Sequence, residues 1–340
     1  MRVRFIVAAV LFQFLVLAWM AGEREFVYRT GRTVYLRTMP VDPQDRFRGD
    51  YVRLNYEIST IGKDSWRDDL KDRKRDEDAY RRHKQDIRIY TALKVGDSGI
   101  AELQYVTDRK PERDLFIRGR LQNTWDTSLQ ATYGIEAYFV QQDKGLDLEK
   151  GMNRDGINVP MEMEAAVSGS GIAVLKGYRW SPIGIGLTVN TETNRTPRPG
   201  IAVSADIRLL NASKTDIAIV DLPGASSFAL EPDFRWGRSQ NEWQWVGAKP
   251  RMTIANEHVK VLKPGEIHKV HIDFNNPAWF VVKDGAQPKS LSDLGNNTWN
   301  TRFRIVYRPP SKEECASLKN APIIWHGSIA SLAFNGGIID

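Results

Sequence analysis

The eight residues from Tyr51 to Ile58 read YVRLNYEI, and few backbones suit them. In an extended strand Tyr51, Arg53, Asn55 and Glu57 share one face, while Val52, Leu54, Tyr56 and Ile58 share the other. The second set can face a core. The residues before them, Pro40, Asp42 and Pro43 and then Arg48-Gly49-Asp50, are turn formers. Gly49 suits a sharp change of chain direction, and Asp50 can hydrogen-bond back into the turn. The stretch from Val41 to Tyr56 therefore predicts a loop that feeds a strand with one buried face.

A second patterned run lies downstream, Tyr133-Gly134-Ile135-Glu136-Ala137-Tyr138-Phe139-Val140, with Gly145 and Glu149 after it. Gly49, Asp50, Tyr51, Leu54 and Tyr56 match GDYXXLXY position for position, and the downstream run resembles the YGIExYFV…GxxxE segment of the same family. On these residues the chain resembles the GDYXXLXY family of membrane-anchored bacterial proteins over roughly residues 25 to 190. The resemblance marks Tyr133, Gly134, Glu136, Tyr138, Phe139, Gly145 and Glu149 as motif positions beside the first five. It implies a protein of the cytoplasmic (inner) membrane with its bulk in the periplasm. For activity it implies only a link to regulation of an amylopullulanase-like enzyme.

The amino terminus agrees with that placement on its own grounds. Arg2 and Arg4 precede an apolar run from Phe5 to Ala21 broken only by Gln13. As a helix this run spans about 26 Å, just enough for a hydrocarbon core. Trp19 and Met20 stand where a cleavage site wants small residues, and Trp19 suits a membrane interface, so an uncleaved signal anchor is expected over a cleaved signal peptide. The two arginines before the run would hold the N-terminus in the cytoplasm and put the rest of the chain outside.

At 340 residues the chain exceeds one ordinary core. The expected organisation is mainly β: an anchor over residues 1–22, a β-rich domain over 23–190 that begins with a polar stalk at 23–32, a polar linker over 191–200 with two prolines, and an immunoglobulin-like β-sandwich over 201–340. A charged excursion over 62–86, with seventeen Asp, Glu, Lys and Arg between Lys63 and Asp86, reads as a solvated helix between strands. Ala131 to Val140 reads as one strand and Gln141 to Asp155 as a short charged helix.

Charge and cysteine exclude several classes. Forty-eight Lys and Arg against 42 Asp and Glu give a formal charge of +6, or +4 without Arg2 and Arg4 ahead of the apolar run, an excess too small for so large a surface to suit a nucleic-acid binder. Cys315 is the only cysteine, so no internal disulfide and no structural thiolate zinc site can form. Its neighbours Glu313 and Glu314 would raise its pKa, which disfavours a nucleophile. Asp42, Asp45 and Asp50 match no calcium loop, and Arg46 and Arg48 would repel the cation. His268 and His271 are three apart on a predicted strand and point opposite ways, which disfavours a metal site with His258. No cofactor is expected. Six of the ten tryptophans (Trp236, Trp243, Trp245, Trp279, Trp299 and Trp325) lie after the linker, where core packing is expected over sugar stacking.

The leading expectation is a non-catalytic, membrane-anchored protein acting through protein or envelope-polymer contacts. The alternative is an envelope hydrolase or glycan-binding enzyme accessory in which Asp50 or Glu57 converges with Glu136 or Glu149 for acid–base work.

Overall fold

The computed structural model describes residues 2–39, 51–70, 87–124, 128–139, 148, 151–192, 201–233, 243–247, 253–283, 285–294 and 301–336. Among them the fold is mainly β, preceded by one long helix.

That helix covers Arg2–Thr30, and its stretch from Arg4 to Thr30 is long and apolar enough to cross a membrane. Its side chains are exposed along most of its length. The polar stalk expected at 23–32 is a continuation of the same helix. Glu25 and Arg29 pair at 2.5 Å one turn apart, and Val27, only 2% exposed, is buried in the body. The Gly31 amide donates to the Val27 carbonyl at 2.8 Å, and the strand Arg32–Met39 begins at the next residue. The helix therefore enters the β body with a single residue as its joint.

The first body has two main sheets. One runs in the order Ala173–Trp180, Met161–Val167, Arg32–Met39, Asn55–Tyr56. The other runs Thr60–Gly62, Ser128–Thr132, Leu115–Thr124, Ile87–Val95, Ala101–Thr107. Their shared core holds Val34, Leu36, Leu54, Tyr56, Ile58, Ile89, Ile117 and Met163. Leu54, Tyr56 and Ile58 are buried as expected, but the single strand expected from Tyr51 to Ile58 is broken: Tyr51–Arg53 and Asn55–Tyr56 pair with different strands, and Ile58 lies in the 3-10 turn Glu57–Ser59. In the charged excursion, Lys63–Ser65 and Asp68–Leu70 are short 3-10 turns, and Trp66 and Leu70 are core residues. Residues 71–86 lie outside the described part.

The second body is built on the strands Ile183–Glu192, Ile201–Asn211 and Ile267–Asp273, antiparallel in that order. Phe228–Pro232, Arg302–Tyr307 and the short strands Ile329–Ala330 and Phe334–Asn335 form another sheet over the same core, which holds Phe228, Phe274, Phe303 and Tyr307. Val259–Leu262 pairs with Ile217–Val220, whereas the next strand, Ile267–Asp273, pairs with Ile201–Asn211. The chain changes sheet at the Gly265 turn, where φ is +80°.

Thr191 and Glu192 are still in strand, facing Ala202 and Ile201, and residues 193–200 lie outside the described part. Ile183 and Ile185 pack in the second core, while Trp180 packs on the first. The two bodies are not divided at one point: Asn153–Arg154 and Ile157–Asn158 already pair in the sheet of Ile183–Glu192, and Trp180 also packs beside Leu210.

Candidate functional site

The two motifs meet. The strand Tyr51–Arg53 pairs antiparallel with Ala137–Phe139 in the register Tyr51↔Phe139, Val52↔Tyr138 and Arg53↔Ala137. The pairing continues as the Leu54 amide donates to the Glu136 carbonyl at 2.7 Å. Beyond it the two segments are tied by phenols. Tyr56 Oη donates to the Ile135 carbonyl and Tyr133 Oη to the Ile58 carbonyl, both at 2.6 Å. With the Tyr133 proton so used, Thr91 Oγ1 donates to Tyr133 Oη at 3.0 Å.

The expected strand from Ala131 to Val140 is in fact two, Ser128–Thr132 and Ala137–Phe139. Between them Gly134 has φ +77°, a conformation glycine adopts without strain. The Glu136 carboxylate closes the turn: Oε1 accepts from the Tyr133 amide at 2.5 Å and Oε2 from the Gly134 amide at 2.9 Å. Burial, with the Glu136 charge adding to it, pushes the Tyr56 phenol far above its usual range. Burial does the same to Tyr133, with Glu136 adding and the Thr91 hydrogen bond opposing. These phenols remain protonated donors at any physiological pH.

Tyr138 stands at one end of an aromatic row on the sheet edge, its ring 5.9 Å from Tyr178, which lies 6.0 Å from Trp180 in a second edge-to-face pair. Gly49, Asp50, Gly145 and Glu149 lie outside the described residues. Of the acid–base pair expected from sequence, Glu57 faces Arg37 at 3.6 Å and Glu136 is engaged by backbone amides, so each carboxylate has a different partner.

A row of alternating charges runs from the motif region toward the second body, and sequence reasoning missed it. Arg179 Nε meets Glu162 Oε2 at 2.8 Å; Glu162 Oε1 meets Arg37 at 3.4 Å; Arg37 faces Glu57. In the second body Glu231 pairs with Arg304 at 2.9 Å and with Arg308. Burial works against the Arg304 charge, but Glu231, then Glu57 and Asp233, outweigh it and raise its pKa. Glu57 is thus where the two halves of the row feel one another. Glu162 is fully buried, and the alternation Met161-Glu162-Met163-Glu164 gave no sign of it, because Glu164 occupies the same face and is only half-buried. A second tie between the bodies is the Ser328 hydroxyl, which donates to Glu102.

The histidines serve separate partners: His268 Nε2 lies 2.8 Å from Asp221 and His271 Nδ1 lies 2.8 Å from Asp206. Among the described residues no group of three or more His, Cys, Asp or Glu is placed to hold a metal ion. Trp245 stacks on Trp279 at 5.5 Å and donates to the Ala278 carbonyl, and Trp325 stacks on Tyr307 at 6.0 Å. These rings pack against the second core. Cys315 is buried, and burial together with Glu314 raises its pKa.

No curated protein and no solved structure matches the chain. The model of one family, described as GDYXXLXY protein, matches residues 13–177. The matched stretch begins inside the amino-terminal helix, contains both motifs and ends within the strand Ala173–Trp180. Over that stretch, just under half of its length, the chain is similar to the GDYXXLXY family.

Proposed function

We propose that the protein is a single-pass membrane protein that does no chemistry of its own and holds a rigid β body just outside the bilayer, for contact with a protein or envelope-polymer partner. The carrying observation is the direct entry of the apolar helix into the first strand through Gly31. A helix docked by Val27 presents the body at a set height and orientation, which suits a scaffold or regulatory contact better than a tethered enzyme seeking substrate. The use of motif side chains supports the same reading. Tyr56, Tyr133 and Glu136 spend their polar atoms on backbone groups of neighbouring segments, as structural residues do.

The arginines before the helix support an N-terminus in the cytoplasm and a body on the extracytoplasmic side. Alkaline phosphatase fused after Asp340 is then active in cells, and charge reversal at Arg2 and Arg4 lowers that activity; an inactive fusion to the unaltered chain reverses the topology. For the non-catalytic role, the full-length protein in detergent is assayed on glycan, ester and peptide substrates. Turnover that survives purification and disappears in a Glu57→Gln or Glu136→Gln variant of unchanged melting temperature would replace this reading with an envelope hydrolase.

A further inference from the structure

The helix joins the first body at one particular end. Arg32, the residue after the Gly31 joint, faces Val167, and the turn Ser168-Gly169-Ser170-Gly171 follows at once. The start of the strand Leu115–Thr124 lies against that turn: the Arg118 amide donates to the Gly171 carbonyl at 2.8 Å, and the Phe116 ring packs where a Gly171 side chain would sit, which brings the preceding loop, 108–114, beside the turn. Gly171 has φ +81°, so the turn is shaped for this close approach. Between the two loops lies an open depression of about 420 Å³, lined by Lys110, Glu112, Asp114, Phe116, Ser168 and Gly169. Its size is within the roughly 300–1,000 Å³ of small-molecule clefts.

From this placement we infer that the depression is a binding site for a phospholipid headgroup bearing both a phosphate and a primary ammonium, at the membrane-facing rim of the body. The inference rests on the anchoring reading above. The apolar run ends at Ala21, and the nine residues to Thr30 carry the helix about 13 Å further. The headgroup layer beyond the hydrocarbon is about 5–7 Å thick. The joint thus stands about 6–8 Å beyond the headgroup layer, a distance that an extended lysine side chain on the loops beside it can span. The lining has the matching chemistry. Lys110 supplies a cation for the phosphate, the Ser168 hydroxyl and the Gly169 backbone lie beside it, and Glu112 and Asp114 supply acceptors for ammonium N–H groups. Asp114 Oδ2 accepts from Tyr105 Oη at 2.5 Å, which holds that carboxylate in place. A choline headgroup has no N–H to donate, so the carboxylates distinguish the two lipid classes.

The test uses full-length protein in vesicles. Cys315 is buried, so a single fluorophore can be attached at Ser170→Cys, or at Lys319→Cys in the second body as the remote control. Vesicles of phosphatidylethanolamine with phosphatidylglycerol, or of phosphatidylcholine with phosphatidylglycerol, carry a small fraction of headgroup-quenching lipid. The expected result is several-fold stronger quenching at residue 170 than at residue 319. It is also stronger in the ethanolamine vesicles than in the choline vesicles, and Lys110→Ala with Glu112→Gln removes that lipid preference. Protein that does not float with vesicles would overturn the anchoring reading. Protein that floats with equal quenching at both positions overturns the placement of the rim alone. Equal quenching in the two lipids, or a preference unaffected by the double variant, overturns the headgroup site while leaving the anchor intact.

Discussion

Tyr56 and Tyr133 brace each other's segments: each phenol donates, at 2.6 Å, to a backbone carbonyl two residues from the other tyrosine, Ile135 and Ile58 respectively. Both rings are buried in the first core, so the exchange closes a loop of contacts around the junction of the two motifs. The strand pairing from Tyr51 to Leu54 lies on one side of it, and the Gly134–Glu136 turn on the other.

Replacing either phenol by Phe leaves a buried carbonyl without its donor and costs about 1–3 kcal/mol. Tyr56→Ala also removes a buried ring and costs about 3–5 kcal/mol, by analogy with buried Phe→Ala. Because both hydroxyls tie the same two segments, the Tyr56→Phe and Tyr133→Phe costs couple by about 0.5 kcal/mol or more in a double-mutant cycle. Urea melts of the four proteins in detergent measure this. Strict additivity would mean that the two ties act independently.

Alkaline pH reads out the same groups. Burial raises the folded-state pKa of Tyr56, Tyr133 and Tyr307 above the ordinary 10.0. The folded state therefore holds these protons more tightly than the unfolded chain. Their contribution to stability is complete below about pH 10 and is lost as pH rises beyond it toward the folded values. Absorbance at 295 nm should show exposed phenols ionising smoothly, and then a steep step coincident with loss of near-UV circular dichroism. Smooth ionisation of every phenol with the fold intact contradicts the burial argument.

The buried carboxylate of Glu162 gives a third prediction. It is held by Arg37 and Arg179, and Arg37 is itself buried. Glu162→Leu leaves the Arg37 guanidinium with Glu57 as its remaining carboxylate, at 3.6 Å, and should cost about 3–5 kcal/mol. Adding Arg37→Leu removes the stranded charge and should recover part of that loss. Melting temperatures of the single and double variants decide; a double variant less stable than the sum of its singles would show that the row contributes more than charge pairing.

What could be read from the chain follows from which interactions are local. The burial of Leu54 and Tyr56 was legible because strand alternation is a two-residue rule, whereas the break after Arg53 and the 3-10 turn that holds Ile58 were not. The break of the second motif into two strands was not, although Gly134 was its signal, because the left-handed turn depends on a carboxylate two residues on. The stalk was misread because Glu23, Arg24 and Glu25 look like solvent, while Val27 docks on strands more than a hundred residues away. The polar stretch after Asn190 resembles a linker in composition, but its flanks pair strand to strand from Ile183↔Asn211 to Glu192↔Ile201. Composition marks a polar connection between two segments but not that the strands on either side of it pair with each other. Glu162 and Arg37 stand 125 positions apart and could be matched only by the fold.

The joint at Gly31 is the point at which helix and body can be uncoupled by one substitution. A β-carbon there would lie 2.6 Å from the Val27 carbonyl oxygen and 3.0 Å from the Val167 amide nitrogen. Both are backbone atoms that cannot turn aside, so Gly31→Ala must either push the last helical turn off the sheet or bend the first strand. Overpacking of this kind costs about 1–3 kcal/mol. If the helix end yields, the Val27 contact and the Gly31 amide bond to its carbonyl are lost together, while the two cores are untouched. The expected outcome is therefore a local one: faster tryptic cleavage at Arg29 and Arg32, which flank the joint and are both exposed, with little change in the main melting transition. Limited proteolysis of the full-length protein in detergent, followed by mass analysis of the released body, measures it. Unchanged cleavage with a lowered melting temperature would place the strain in the strand Arg32–Met39 instead, and a rate matching the unaltered chain on both measures would mean that the joint is looser than its geometry requires.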